Sequence, residues 1–84
     1  MQEEDKKVLK LFGEHVKNIR ENKYNSLNNF ALNHSELSSA TISRIENALV
    51  DFKFTTLVKL SCALKISLYE LFKDFKFNYN DFKN

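Results

Sequence analysis

Turn-forming residues are nearly missing from this chain. It has no proline and one glycine in 84 residues, and that glycine, Gly13, lies inside a helical pattern. A β-rich fold needs glycine, proline and similar residues between its strands. Helices do without them, and an interior proline costs a helix about 3 kcal/mol. The chain is therefore expected to be all-α. At this length it makes one domain with a modest core, which local helical contacts build efficiently.

Val8, Leu9, Phe12, Val16 and Ile19 recur at three- and four-residue spacing, which predicts a long amphipathic helix over residues 3–22. Glu3, Glu4 and Asp5 fit its first turn, where negative charge offsets the helix dipole. After Lys23, Tyr24 and Asn25, Ser26 can cap a short second helix reaching about Asn33, with Leu27, Phe30 and Ala31 inward. Residues 33–36 are polar and read as a turn. Ser38 then caps a third helix running to about Ala48. Residues 49–54 form a loop whose Phe52 and Phe54 should tuck under the domain. Thr55 or Thr56 caps a fourth helix carrying Leu57, Val58, Leu60, Ala63 and Leu64. Ser67 and Glu70 make a capping box for a fifth helix ending near Asp74 or Phe75. The expected architecture is a compact five-helix bundle: one domain over residues 1–84, its core at about 8–74 and an aromatic tail at 75–84.

A formal net charge of +2 permits nucleic-acid binding without arguing for it. Lys6, Lys7, Lys10, Lys17, Arg20 and Lys23 crowd the first helix. The single cysteine, Cys62, excludes an intramolecular disulfide and, in an apolar helical run, is expected to be a buried, inert thiol. No leader and no apolar run long enough to span a membrane is seen, so the chain reads as cytoplasmic. Enzyme chemistry finds no footing. His15 and His34 have no partner at metal-ligand spacing, one cysteine cannot build a structural zinc site, and no glycine-rich loop cradles phosphate. No metal, cofactor or small-molecule ligand is expected.

The residues that remain are two short helices joined by a turn, the second with an outer face of Ser39, Ala40, Ser43, Arg44 and Asn47. Major-groove readers are built this way. Hydroxyl, amide and guanidinium groups pair with base edges, and small residues allow close approach. Spacing alone leaves this reading beside a plain helical bundle with a solvated polar face.

From about Phe12 to Phe72 the chain resembles the lambda-repressor-like helix-turn-helix family of the Cro and phage-repressor type. The run Thr41-Ile42-Ser43-Arg44-Ile45-Glu46-Asn47 is similar to its third-helix signature. Ser26 with Phe30-Ala31 resembles the start of its second helix. Thr56-Leu57-Val58-Lys59-Leu60-Ser61-Cys62-Ala63-Leu64, then Ile66-Ser67 and Leu71-Phe72, resemble its fourth and fifth helices.

The resemblance implies that Ser38, Ser39, Ala40, Thr41, Ser43 and Arg44 face the major groove of double-stranded DNA. Arg44 is the leading candidate because arginine can bond guanine O6 and N7 together. Asn47 would lie where the family brings backbone N–H groups to a phosphate. The resemblance also implies that Arg20 and Glu46 form a buried salt bridge between the first and third helices. Position agrees, since Glu46 falls beside Ile45 on the inner side and a buried carboxylate needs a partner. The chain departs from the family pattern at Leu27, which replaces a glutamine, and at Ala48, which replaces a glycine. Leu49, Val50 and Asp51 replace basic loop residues. Phosphate contacts therefore fall to Lys17, Lys23, Asn25, Ser26, Asn47 and Lys53.

One reading helix covers few base pairs, and the family resemblance implies a homodimer on an inverted repeat. Leu68, Tyr69, Phe72, Phe75 and Phe77 are more apolar groups than a solvated end needs, and they are expected at the dimer seam. The alternative is that they cover the domain's own core. The expected function is a sequence-specific transcription regulator. It resembles the controller proteins of restriction–modification systems, and after them phage or mobile-element repressors and antitoxins. A protein-interaction module without DNA binding is the alternative of another class.

Overall fold

The computed structural model describes residues 2–23 and 37–82. They form four α-helices and no strand: α1 (Glu3–Lys23), α2 (Ser39–Glu46), α3 (Phe54–Leu64) and α4 (Leu68–Phe72), followed by a 3₁₀ turn at Tyr79–Phe82. The expected second helix and its turn, with Asn25, Ser26, Leu27, Phe30 and Ala31, lie outside the described residues. The helix expected third is α2. Among the described residues no helix is long and apolar enough to cross a membrane.

The 21 residues of α1 carry Glu3, Glu4 and Asp5 in the first turn and Arg20 and Lys23 in the last, matching charge to dipole at both ends. Its buried stripe is Leu9, Phe12, Gly13, Val16 and Arg20. The core joins Phe12 and Val16 to Leu37, Ile42 and Ile45, and to Leu60, Ala63, Leu64 and Leu71. Phe12 is its aromatic hub. Its ring centroid lies 5.6 Å from Phe52, 5.5 Å from Phe72 and 5.3 Å from Phe75.

Three boundaries differ from the sequence expectation. α2 stops at Glu46 rather than Ala48, because Ala48 takes a left-handed backbone (φ 58). α3 begins at Phe54 with Lys53 in the cap position and no side-chain cap, so neither Thr55 nor Thr56 starts it. Docking of Phe52 on Phe12 sets where the chain enters this helix. α4 ends at Phe72, since Asp74 (φ 67) turns the chain and lets Phe75 fold back onto Phe12. The capping box is present as expected, with Ser67 Oγ accepting from the Glu70 N–H at 3.1 Å and the Ser67 N–H donating to Glu70 Oε1 at 3.2 Å.

Two side chains are placed otherwise than expected. Cys62 is exposed, because the core face of α3 runs through Leu60, Ala63 and Leu64 and turns Cys62 outward. Of the two loop phenylalanines Phe52 is half-buried, while Phe54 is 65% exposed in the first turn of α3.

α1 also closes the ends of its neighbours. The last carbonyls of an α-helix have no partner within it. Lys23 Nζ donates to the Leu64 carbonyl at the end of α3 at 2.8 Å. His15 Nε2 donates to the Leu71 carbonyl in α4 at 2.6 Å. The end of α2 meets α1 at Gly13 and Arg20.

Candidate nucleic-acid interface

Ser38 takes the extended backbone of an N-cap (φ −76, ψ 159), and its Oγ accepts from the Thr41 N–H at 3.1 Å. Starting there, α2 turns Ile42, Ile45 and Glu46 inward and leaves Ala40 and Arg44 exposed. Ser39, Thr41 and Ser43 are half-buried along the edges of that outer face.

Inside, two contacts fix α2 on α1. Arg20 Nε donates to Glu46 Oε2 at 2.6 Å and Nη2 donates to Oε1 at 3.0 Å, with side chains only 6% and 5% exposed. The resemblance implied this pair, and the structure contains it. The Glu46 hydrogen bond raises the guanidinium above its ordinary pKa. Burial pulls it down, and the charges of Glu46 and Glu21 push it up again. Two helical turns before Arg20, Gly13 meets the backbone of the same segment. A Cβ on Gly13 would sit 2.5 Å from the Glu46 carbonyl oxygen and 2.6 Å from that of Ile45. The spacing of glycine and arginine thus lets α1 touch the end of α2 twice. Gly13 is a positioning residue that the sequence showed only as a glycine out of place.

The C-terminal end of α2 is closed by its own backbone. The Ala48 N–H bonds the Ile45 carbonyl at 3.2 Å and the Leu49 N–H bonds that of Arg44 at 2.9 Å, a Schellman motif turning on Ala48. The Asn47 N–H bonds the Ser43 carbonyl at 3.0 Å, and Asn47 Nδ2 bonds the same carbonyl at 2.8 Å. Asn47 therefore has no free backbone N–H to offer a phosphate.

This narrows the outer face. The Ser38 hydroxyl is engaged in capping and lies 3.0 Å from Thr41 Oγ1, while Ser43 Oγ accepts from Asn47 Nδ2 at 3.3 Å. Arg44 is exposed and, among the described residues, its guanidinium makes no hydrogen bond or ion pair. Of the expected base-contacting groups it is the long donor left to act.

The expected phosphate contacts divide in the same way. Lys17 is exposed and lines a groove with Lys6, Lys10 and Glu14 of α1 and with Glu46, Asn47 and Ala48. Lys53 is exposed at the start of α3. Lys23, by contrast, has its ammonium on the Leu64 carbonyl, where it serves the fold. Asn25 and Ser26 lie outside the described residues.

The expected seam residues divide too. Tyr69 is 76% exposed, Phe77 49% and Phe72 39%, while Leu68 and Phe75 are half-buried against the core. Part of that apolar surplus covers the domain itself.

Comparison with protein-family models, with curated proteins and with solved structures finds no match to this chain.

Proposed function

We propose that the chain is a sequence-specific DNA-binding transcription regulator that lays α2 in the major groove and acts as a homodimer on an inverted repeat. The observation that carries this reading is Arg44, exposed and with no side-chain partner among the described residues, on a helix whose inner side is held by a buried ion pair. An arginine so presented can bond guanine O6 and N7 as a fork, and rigid presentation is what selective readout needs. Ala40 and Ser39 are small, so the helix can approach base edges closely. Tyr69, Phe72 and Phe77 supply the exposed apolar groups for a two-fold seam. The role we favour is the autoregulatory controller of a restriction–modification system. Phage repressors and antitoxins are the nearest alternatives.

A second reading is a protein-interaction module. It draws on Leu49, which is 66% exposed three residues past the end of α2. Electrophoretic mobility with a salt titration separates the two. A DNA reader binds selected duplexes over random ones, and its affinity falls as salt rises. Absence of both effects would remove the DNA reading in favour of a protein partner.

A further inference from the structure

We infer that the lysine-lined groove between α1 and the end of α2 seats the sugar–phosphate backbone beside the bases that α2 reads. The inference rests on the DNA reading above and deepens it, extending the phosphate contact expected of Lys17 to Lys6 and Lys10 along one face of α1.

Three observations meet at this groove. Lys6, Lys10 and Lys17 line it from α1, and none is in an ion pair among the described residues. Its carboxylates are Glu14 and Glu46, and the Glu46 charge is already met by Arg20. The groove is therefore net positive. On its far wall stands Asn47, one helical turn from Arg44, so the groove continues from the reading face.

The backbone donors at the end of α2 are already spent. The N–H groups of Asn47, Ala48 and Leu49 all bond carbonyls of α2. The next residues, Val50 and Asp51, bring no positive charge. The cations that line the groove, and that a phosphate entering it would meet, belong to α1. From Lys6 to Lys17 the helix rises about 16 Å, enough to face several phosphates of one strand.

A competing account is structural. Cations near the end of α2 favour its dipole, and the lysines would then stabilise the fold without touching DNA. The two accounts differ in what salt does. Each phosphate neutralised by a lysine steepens the logarithmic dependence of affinity on salt by about 0.9.

The test compares the full chain with Lys6→Gln/Lys10→Gln/Lys17→Gln and with Lys59→Gln/Lys73→Gln/Lys76→Gln, which removes the same charge from exposed positions elsewhere. Two duplexes are titrated by fluorescence anisotropy between about 50 and about 200 mM salt. One is random in sequence and one is selected by the wild-type chain from a random pool. Melting by circular dichroism checks each fold, and single substitutions replace the first triple if it does not fold. The expected result is weaker binding of both duplexes by the α1 triple, with a slope flatter by about 0.9 per lysine removed, while the control triple keeps the wild-type slope. An unchanged slope with lowered melting supports the dipole account and overturns the inference, leaving the DNA reading intact. A loss confined to the selected duplex overturns it as well, because a phosphate seat is blind to sequence. If the wild-type chain binds neither duplex, the reading beneath it fails and the inference falls with it.

Discussion

Arg20 grips both carboxylate oxygens of Glu46, at 2.6 and 3.0 Å, from a helix lying across the end of the helix that carries Glu46. Removing one partner of such a buried pair strands the other charge and costs about 3–5 kcal/mol. Glu46→Ala should therefore lower the urea midpoint steeply, and Arg20→Ala should do the same. Replacing both residues by apolar ones of similar volume should recover much of the loss. Because the Arg20 pKa is raised, its contribution is complete below the ordinary guanidinium value and is lost only as pH rises through the higher one. A pH series through neutrality should accordingly show no step from Arg20.

Gly13→Ala is a test of geometry against propensity. Alanine favours a helix over glycine by about 1 kcal/mol. Here its Cβ would press on backbone carbonyls at 2.5 and 2.6 Å, which cannot rotate away as a side-chain tip can. Forced packing of this kind costs about 1–3 kcal/mol. The variant should melt lower than wild type, and selective DNA binding should drop more than stability does, since the displaced element is α2.

Ala48→Gly should act in the opposite direction. Ala48 holds φ 58, a conformation that penalises a Cβ by about 1–2 kcal/mol. Glycine also widens the unfolded ensemble, which takes back part of the gain. Denaturant titration should show a net stabilisation of about 1 kcal/mol or less.

Ser38 and Arg44 share one helix and should fail differently. Ser38→Ala loses the cap on the Thr41 N–H and should cost about 1 kcal/mol of stability. Ser38→Asp keeps a capping group and should restore melting.

Arg44→Ala should leave the melting curve in place, as the side chain is exposed. Its effect belongs to recognition. Discrimination at one base pair should relax by about 1–3 kcal/mol, read from binding to duplexes varied one position at a time. Unchanged preference would take Arg44 out of the readout.

The parts of the fold legible in the sequence are those that local rules write. The period of α1, the Ser38 cap and the Ser67–Glu70 box each depend on neighbours within a turn, and each was visible from spacing. Arg20 and Glu46 were visible through the family resemblance and through the cost of burying a carboxylate alone. What stayed hidden depends on distant partners. Nothing near Gly13 announces that two carbonyls of another helix lie against it. A lysine at the end of α1 looks like any surface charge until Leu64 is placed beside it. Cys62 turned outward because of helix phase, which a continuous apolar run does not reveal. The start of α3 moved because Phe52 docks on Phe12, a contact made across the domain.

The way α1 meets its neighbours bears on how the molecule comes apart. Gly13 and Arg20 meet the end of α2, Lys23 that of α3 and His15 a carbonyl of α4. Each of the shorter helices loses a contact at or near its C-terminal end once α1 leaves. Loss of α1 would then weaken all three together, and unfolding of the described helices is expected to be cooperative, which coincident transitions by different probes would check.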